Sequence, residues 1–454
     1  MTMKKMKHDV PTRLVKVLNL ILMMVAFGFV WYGYYAARAQ VHYYRRGDWV
    51  VILLFGILYY GFCRSYDAFH ISISPISEII YSQTLALIIS DFIMYVVIWL
   101  LSLYMPNAVP LLITFGVQFL ISVLWTFLGH QWYFHNFQPG RTAVIYDLRE
   151  GMESLVGEYG MEKKFHIEKV LGVEECLAKL SVLDEMDTVF LSGIHSHERN
   201  IILKYCMYQD IQVYVIPRIG DVIMGGAKKV HMFHLPMLRI DRYRPIPEYT
   251  IAKRAFDILF SGIAIVIASP FMLVTAIAIK SDGGPALYKQ KRLTKDGKEF
   301  NVLKFRSMRV DAEKDGVARL STGDKDDRIT PVGKVIRKIR FDELPQLFNI
   351  LRGDMSIVGP RPERPEIARQ YEEEMPEFRL RLQAKAGLTG YAQVYGKYNT
   401  TPYDKLLMDL TYIGTPSLWE DFKICLATVK ILFMPESTEG VAEGATTAMG
   451  GEKH

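Results

Sequence analysis

Residues Ala255–Ile279 read AFDILFSGIAIVIASPFMLVTAIAI, a 25-residue apolar run broken by a single charge, Asp257. A bilayer-crossing helix needs about 20 apolar residues, so the run is long enough to span. Two features point instead to a helix that enters one leaflet and returns on the same side. Lys253 and Arg254 precede it, and Lys280, Lys289, Lys291 and Arg292 follow it. Basic residues at both ends fit two cytoplasmic ends. Ser269-Pro270 stands near the middle, where proline removes a backbone hydrogen bond and kinks a helix. The competing reading is a proline-kinked spanning helix. The choice decides on which side of the membrane everything after Lys280 lies.

Upstream of this run the chain is membrane-like. At roughly 150 residues per domain, 454 residues suggest about three units. Half the residues are hydrophobic and 22% are charged, which excludes a disordered or collagen-like chain. Four apolar runs, Leu14–Ala37, Trp49–Cys63, Ile79–Met105 and Ala108–Leu128, predict a four-helix transmembrane domain over residues 1–135. The first is too long for a signal-peptide core and no small-residue cleavage site follows it. Lys4, Lys5, Lys7, Arg13 and Lys16 favour a cytoplasmic N-terminus; Arg38, Arg45 and Arg46 after the first run weigh the other way. Four crossings return the chain to the cytoplasm near residue 135. Asp91 lies inside the third run. An intramembrane acid can mark function, but the plainer reading is a carboxylate satisfied within the bundle. The four cysteines lie far apart with no CxxC pair, so neither a disulfide framework nor a thiolate zinc site is expected, and a reduced, cytosol-facing protein is.

Residues 140–232 read as a Rossmann-like α/β domain. Thr142–Tyr146, Thr188–Ser192 and Gln212–Ile216 are short buried strands, with helices around Met152–Tyr159, Val173–Leu183 and Glu198–Gln209 between them. The first strand leads into Asp147-Leu148-Arg149-Glu150-Gly151, without the glycines that let backbone approach a pyrophosphate. A fold with no bound nucleotide is expected. His195 and His197 lack partner acids at metal spacing. Residues 233–249, with Pro236, Pro245 and Pro247 among basic residues, read as a linker near the membrane surface.

Charge is concentrated downstream. Residues 250–434 hold 30 basic and 23 acidic residues, a surplus of 7, so the rest of the chain sums to about −1 against a total of +6. So small a total does not argue for nucleic acid, which is not an expected partner. Residues 280–340 hold 17 basic and 9 acidic residues, with arginines set among apolar positions as in Lys304-Phe305-Arg306-Ser307-Met308. Arginine matches phosphate oxygens bidentately; a basic block beside a membrane segment also binds anionic headgroups. Thr330-Pro331 reads as an N-cap with proline at the first helical position. Val332, Val335, Ile336 and Ile339 form the apolar stripe of that helix, with Lys334, Arg337 and Lys338 facing away. A second helix is predicted from Asp342, with a stripe of Leu344, Leu347, Phe348 and Leu351, Pro345 in its first turn and Gly353 as its stop. Asp342-Glu343 then stands at a helix N-terminus after Arg337, Lys338 and Arg340. That setting favours an ionised carboxylate, able to act as nucleophile or to bind Mg²⁺; an ordinary aspartate N-cap is the plain alternative. Gly359-Pro360-Arg361-Pro362 holds Arg361 in a stiff turn, as a phosphate clamp or a surface turn. Gly387–Gly396, with Thr389, Tyr391 and Gln393, shapes a substrate pocket or only connects elements.

Taken in order, these motifs resemble the bacterial sugar transferase family, the monotopic polyprenyl-phosphate glycosylphosphotransferases. The resemblance rests on Lys253–Asp257 (KRAFD), Ser269-Pro270, Gln290–Arg292, Lys304–Met308 (KFRSM), Asp327–Thr330 (DRIT), Phe341–Asn349 (FDELPQLFN), Gly353–Pro362 (GDMSIVGPRP) and Gly387–Gly396 (GLTGYAQVYG). It covers Tyr249–Phe433, and the four membrane runs and the Rossmann-like unit extend it to long-form members. The resemblance implies a multi-domain membrane protein. Its catalytic domain, residues 250–434, is mostly helical α/β and carries a re-entrant helix over 252–280 broken at Ser269-Pro270. The protein would lie in the bacterial inner (cytoplasmic) membrane with that domain on the cytoplasmic face. It implies transfer of a phospho-sugar from a UDP-sugar to undecaprenyl phosphate, the first membrane step of capsule, exopolysaccharide or O-antigen synthesis. Asp342 would be the nucleophile, forming a phospho-sugar intermediate with release of UMP. Glu343 would help bind metal or manage protons, with Mg²⁺ at the Asp342-Glu343 pair. Arg292, Lys304, Arg306, Arg328 and Arg361 would offset the phosphate charge that repels an attacking carboxylate.

Ala386, Tyr391 and Arg340-Phe341 depart from the commoner family residues and bear on the sugar pocket. Glucose, galactose and an N-acetylated amino sugar are all open, with a neutral hexose preferred. Two other readings compete: a glycosyltransferase releasing UDP, and a membrane scaffold for polysaccharide assembly with a degenerate site. Regulation, binding of polysaccharide-assembly proteins and homodimer contact are equal expectations for residues 140–240. Residues 435–454, rich in Gly, Glu, Thr and Ala, are expected to be a disordered tail.

Overall fold

A computed structural model describes residues 3–38, 47–102, 104–149, 151–281, 283–310, 328–396 and 400–432, with side chains from residue 10 onward. Arg45, Arg46, Asp327, the side chains of Lys4, Lys5 and Lys7, and the expected tail 435–454 lie outside the described residues. The chain divides into two units between Ile216 and Pro217.

The first unit opens with four helices, α1 (Met3–Val30), α2 (Gly47–Ser65), α3 (Ile76–Ser102) and α4 (Val109–Asn136). Each packs on its sequence neighbour, and α1 packs on α4. All four contain stretches long and apolar enough to cross a membrane, as does Pro247–Lys280 in the second unit. Polar side chains inside the group pair with one another. Tyr59 donates to Asn19 Oδ1 at 2.9 Å, and Ser122 donates to Gln83 Oε1 at 2.6 Å. Asp91 corrects the expectation of a satisfied carboxylate. Both its oxygens are buried without a hydrogen-bond partner among the described residues, as are the side-chain oxygen and nitrogen of Gln118.

A four-stranded parallel sheet follows, ordered β2-β1-β3-β4, from β1 (Gly140–Tyr146), β2 (Phe165–Gly172), β3 (Thr188–Ser192) and β4 (Gln212–Val215). Helices α5 (Met152–Glu158), α6 (Val173–Ala178) and α7 (Ser196–Tyr208) connect them. Alternate residues of β1 and β3 serve opposite cores. Ala143, Ile145, Val189 and Leu191 pack with Cys176, Ile202 and Cys206, while Val144 and Phe190 pack with Phe165 and Val156. This two-sided burial is why those strands read as continuous apolar runs. The edge strand β2 alternates buried and exposed positions and escaped the search for apolar runs. Between β1 and β3, where open parallel sheets bind ligands, the loops touch: a Cβ on Gly193 would meet the Arg149 amide nitrogen at 2.7 Å. His195 faces Asp147 at 3.9 Å, and among the described residues no three metal-binding side chains cluster.

The second unit begins earlier than the expected boundary at residue 232. Helix α8 (Ile219–Gly225) packs on α14 (Pro402–Gly414), with Gly226 against Gly414, so it belongs to the C-terminal unit. The expected linker over 233–249 is also corrected. It contains β6 (Leu235–Arg239), paired antiparallel with β5 (Lys228–Met232), and the start of α9 (Pro247–Lys280). An antiparallel pair, β7 (Leu287–Leu293) and β8 (Glu299–Phe305), follows α9. Then come α10 (Pro331–Lys338), α11 (Gln346–Arg352), β9 (Ser356–Val358), α12 (Pro365–Glu374), β10 (Gly387–Thr389), α13 (Tyr391–Val394), α14 and α15 (Leu418–Leu432).

Helix α9, 34 residues with Pro270 inside it, packs on α10, α11 and α15 of this unit. Near its start, Arg254 donates to the carbonyls of Ile350 and Leu351 at 2.6 and 2.7 Å, capping the C-terminus of α11. Asp257 accepts from the Ile357 amide at 2.9 Å and from Ser356 Oγ at 3.1 Å. At the far end, Ile279 is buried with Phe305 and Ile336, flanked by Met272 and Ala276. The opposite face, including Ile251, Val266, Ile267, Leu273 and Val274, is exposed.

Candidate active site

The site is built on the segment between α10 and α11. Thr330 caps α10 as expected, accepting the Gly333 amide at 2.9 Å with Pro331 at the first position. Ile336 is buried, but Val335 and Ile339 are exposed, so only part of the anticipated stripe faces the core. Arg337 corrects the expectation that it faces away. Its Nη1 is buried without a hydrogen-bond partner among the described residues, and its charge acts on Asp342.

The chain then reverses at Arg340, whose φ of 54° lies in the left-handed region. A non-glycine residue there carries strain of order 1 kcal/mol. Phe341–Glu343 forms a single 3-10 turn rather than the start of α11, which begins at Gln346. Asp342 is therefore not a helix N-cap. The turn is anchored by Phe341, whose ring meets Phe271 edge-on at 6.4 Å, one residue beyond Pro270. Helix α11 buries Gln346, Leu347, Asn349 and Ile350, a face rotated from the expected one, and Phe348 is exposed. The polar members explain the rotation. Asn349 accepts the Leu303 amide at 2.9 Å and donates to the Asn301 carbonyl at 2.8 Å, stitching α11 to β8. Gly353 ends the helix at φ 94°, as expected.

A small open cleft lies beside this turn, lined by Arg292, Lys304, Glu343, Gln346, Arg361, Gly387 and Leu388. Lys304 Nζ lies 2.9 Å from Glu343 Oε1, and Arg361 Nη2 lies 3.6 Å from the same oxygen. Burial raises the pKa of Glu343, but Lys304 and Arg361 outweigh it and hold the carboxyl well below its usual range. Asp342 is pushed the other way. Burial raises it above the ordinary aspartate value, with the Glu343 charge adding to the rise and Lys304 and Arg337 opposing it. Two adjacent carboxyls with oppositely shifted pKa values are a recurrent mark of divided chemical roles. They are also two hard oxygen donors, which suits Mg²⁺, an ion commonly held by one or two carboxylates plus substrate phosphates.

The structure places three of the five expected phosphate-binding residues, Arg292, Lys304 and Arg361, on the cleft. Arg292 also donates to the Pro362 carbonyl at 3.1 Å and to Gln290 at 2.7 Å; burial lowers its pKa to about 10, leaving it cationic at neutral pH. Arg306 is corrected. It is 7% exposed and donates to the carbonyls of Pro285 and Ile279 at 2.9 and 3.1 Å, fastening the end of α9. Arg328 sits beside the isolated bridge between Met308 and Ile329, its carbonyl accepting the Arg309 amide at 2.9 Å. The expected break at Ser269-Pro270 is corrected: α9 stays helical from Pro247 to Lys280 with Pro270 inside it, and Ser269 donates to the Val266 carbonyl at 2.8 Å. In the 387–396 loop, Thr389 bonds Thr428 and Tyr391 bonds Glu420, so Gly387 and Leu388 alone of that loop line the cleft. Sequence reasoning missed Gln346, Asn349, Glu363, Arg381 and Asp409. Of these, Gln346 and Asn349 lie in the FDELPQLFN stretch and Glu363 directly follows the Gly-Pro-Arg-Pro turn, signals available in sequence; Arg381 and Asp409 carry none.

The bacterial sugar transferase profile matches residues 248–435. Among curated proteins, the chain is 40% identical over 234 residues to a UDP-N-acetylgalactosamine-undecaprenyl-phosphate N-acetylgalactosaminephosphotransferase of Aeromonas hydrophila; the match covers 51% of this chain and 54% of that protein. It is 40% identical over 201 residues to a UDP-glucose:undecaprenyl-phosphate glucose-1-phosphate transferase of Caulobacter vibrioides, covering 42% of this chain and 74% of that one. A protein of Escherichia coli K12 with the same name is 38% identical over 212 residues, the match covering 45% and 44% of the two chains. The chain thus spans about half the length of several curated relatives it matches and three quarters of another. With matched motifs lining one basic cleft and a relative covered over most of its length, the chain belongs to the bacterial sugar transferase family.

Proposed function

We propose that this protein is a phosphoglycosyl transferase, moving a sugar-1-phosphate from a UDP-sugar to undecaprenyl phosphate. The observation that carries the reading is the Asp342-Glu343 turn, set beside a cleft lined by Arg292, Lys304 and Arg361. Such a site neutralises phosphate charge next to an anionic nucleophile, the central requirement of phosphoryl transfer.

In this reading an Asp342 oxygen attacks the sugar-bearing phosphorus. The bond from that phosphorus to the bridging oxygen breaks, UMP leaves with the electron pair, and a phospho-sugar acyl phosphate on Asp342 remains. A phosphate oxygen of undecaprenyl phosphate then attacks the same phosphorus, the acyl phosphate bond breaks, and Asp342 leaves as a carboxylate. Lys304, Arg361 and Arg292 hold the phosphates, and the unpartnered Nη1 of Arg337 adds a donor near Asp342. Glu343 stays ionised between Lys304 and Arg361 and, with Asp342, would hold Mg²⁺. That ion, when bound, offsets charge on the transferring phosphoryl group.

The four N-terminal helices are read as crossing the membrane and α9 as re-entrant. In support, residues near both ends of α9 pack on the same C-terminal unit, Arg254 and Asp257 at the start and Ile279 at the far end. In this reading the cleft lies at the cytoplasmic interface of the bacterial inner membrane, in reach of a soluble nucleotide sugar and a lipid phosphate. The relatives' names include glucose, galactose and N-acetylgalactosamine, and these define the donor panel. Membranes containing the protein should release UMP from one of these UDP-sugars in the presence of Mg²⁺, and Asp342→Asn should abolish it. Equal UMP release by wild type and variant would sink the nucleophile assignment; release of UDP instead would sink the reaction class.

A further inference from the structure

Arg361 reaches the cleft from a turn whose backbone is fastened at every step. The Gly359 amide donates to the Thr389 carbonyl at 2.8 Å, and the Pro360 carbonyl accepts the Gly387 amide at 2.9 Å. The Pro362 carbonyl accepts from Arg292, and the Glu363 carbonyl accepts the Leu293 amide at 3.0 Å. The carbonyl of Arg361 itself accepts from Arg381 Nη2 at 2.8 Å.

Arg381 makes this bond from a fixed position, its guanidinium also lying over the Phe378 ring at 4.8 Å. Its side chain is 3% exposed and does not line the cleft. Nε and Nη2 grip Asp409 Oδ2 at 2.9 and 2.7 Å, and Nη1 lies 3.5 Å from Glu363 Oε1. Asp409 is itself 1% exposed. A planar guanidinium held by two carboxylates has one orientation, so its remaining donor fixes the carbonyl it meets. A buried ionic pair is a poor source of stability compared with apolar packing, and orientation is its better-attested use. With proline on both sides of Arg361, fixing that carbonyl also fixes the direction in which the side chain leaves the turn.

We propose that Arg381, locked between Asp409 and Glu363, is a positioning residue that aims Arg361 at the phosphates in the cleft. The proposal rests on the phosphate-binding role given to Arg361 above. Small misplacements of a charged clamp are expensive in rate, so Arg381→Lys, which keeps the charge but loses the fork, should lower kcat/KM for UMP release about tenfold. In an Arg361→Ala background the same change should cost less than about twofold, because there is no clamp left to aim. Thermal unfolding in nanodiscs checks that each variant is folded. Should Arg381→Lys fail to fold, Asp409→Asn is measured in the same two backgrounds with the same expectation. Equal fold-losses in both backgrounds, or no loss in the intact one, would overturn the positioning role while leaving the phosphate reading intact. An Arg361→Ala variant as active as wild type would overturn both.

Discussion

Replacing Lys304 with methionine removes the cation nearest Glu343 and the largest charge opposing protonation of Asp342. The pair stands at 2.9 Å, with side chains 22% and 17% exposed. At an effective dielectric of about 20, two unit charges that close attract by roughly 6 kcal/mol gross. Arg361 remains 3.6 Å from the same carboxylate, and solvent re-enters the space. A net loss near 2 kcal/mol, the lower end for truncating a buried hydrogen-bonded pair, is the reasonable figure. At 1.36 kcal/mol per pKa unit this corresponds to about 1.5 units. Both carboxyls act as anions in the proposed chemistry, and both lose a cation that favours the anion. Their pKa values therefore rise, and activity lost on acidification is lost at higher pH. Because Glu343 starts far below its usual range, Asp342 sets the acid limb of kcat/KM for UMP release; at fixed Mg²⁺ that limb should move upward in Lys304→Met, by at most the about 1.5 pH units worked for Glu343, and stay near its wild-type position in Lys304→Arg. An unmoved limb in Lys304→Met would refute the electrostatic coupling of Lys304 to this carboxyl pair.

Arg306→Ala leaves the carbonyls of Ile279 and Pro285 without their donor. It should lower stability by about 2–4 kcal/mol, seen as a drop of several degrees in the melting temperature, with KM for the UDP-sugar within about twofold of wild type. A large rise in KM with an unchanged melt would return Arg306 to the phosphate site. Single cysteines at positions 250 and 290, introduced after replacing the four native cysteines, should both react from the cytoplasmic face; labelling from opposite faces would refute the re-entrant helix. Chelation with EDTA should stop UMP release and added Mg²⁺ should restore it, whereas full activity in EDTA would remove the metal from the Asp342-Glu343 pair.

The strands β1, β3 and β4 and the helices between them were readable because burial on both faces leaves continuous apolar runs, and the caps at Thr330 and Gly353 because local backbone geometry demands those residue types. The edge strand β2 was not readable, since half of it faces solvent. The buried face of α11 was misjudged because Gln346 and Asn349 are polar by composition yet occupy core positions, with Asn349 satisfied by β8. Arginines posed the same problem. Composition marks all of them as phosphate ligands, but hydrogen-bonding geometry separates Arg361, whose side chain reaches Glu343 in the cleft, from Arg306 and Arg381, which are spent on carbonyls and buried carboxylates.

By itself, the sequence determined the apolar helices, the parallel α/β segment, the basic C-terminal unit and the Asp342-Glu343 pair, because these follow from hydrophobic period, local capping and residue chemistry. The tertiary structure alone decided that Lys304 and Arg361, 39 and 18 residues from Glu343 on either side, converge on one oxygen, and that Asp342 rises in pKa while Glu343 falls. Charge pairing and desolvation depend on distance and burial in space, and separation along the chain does not encode either.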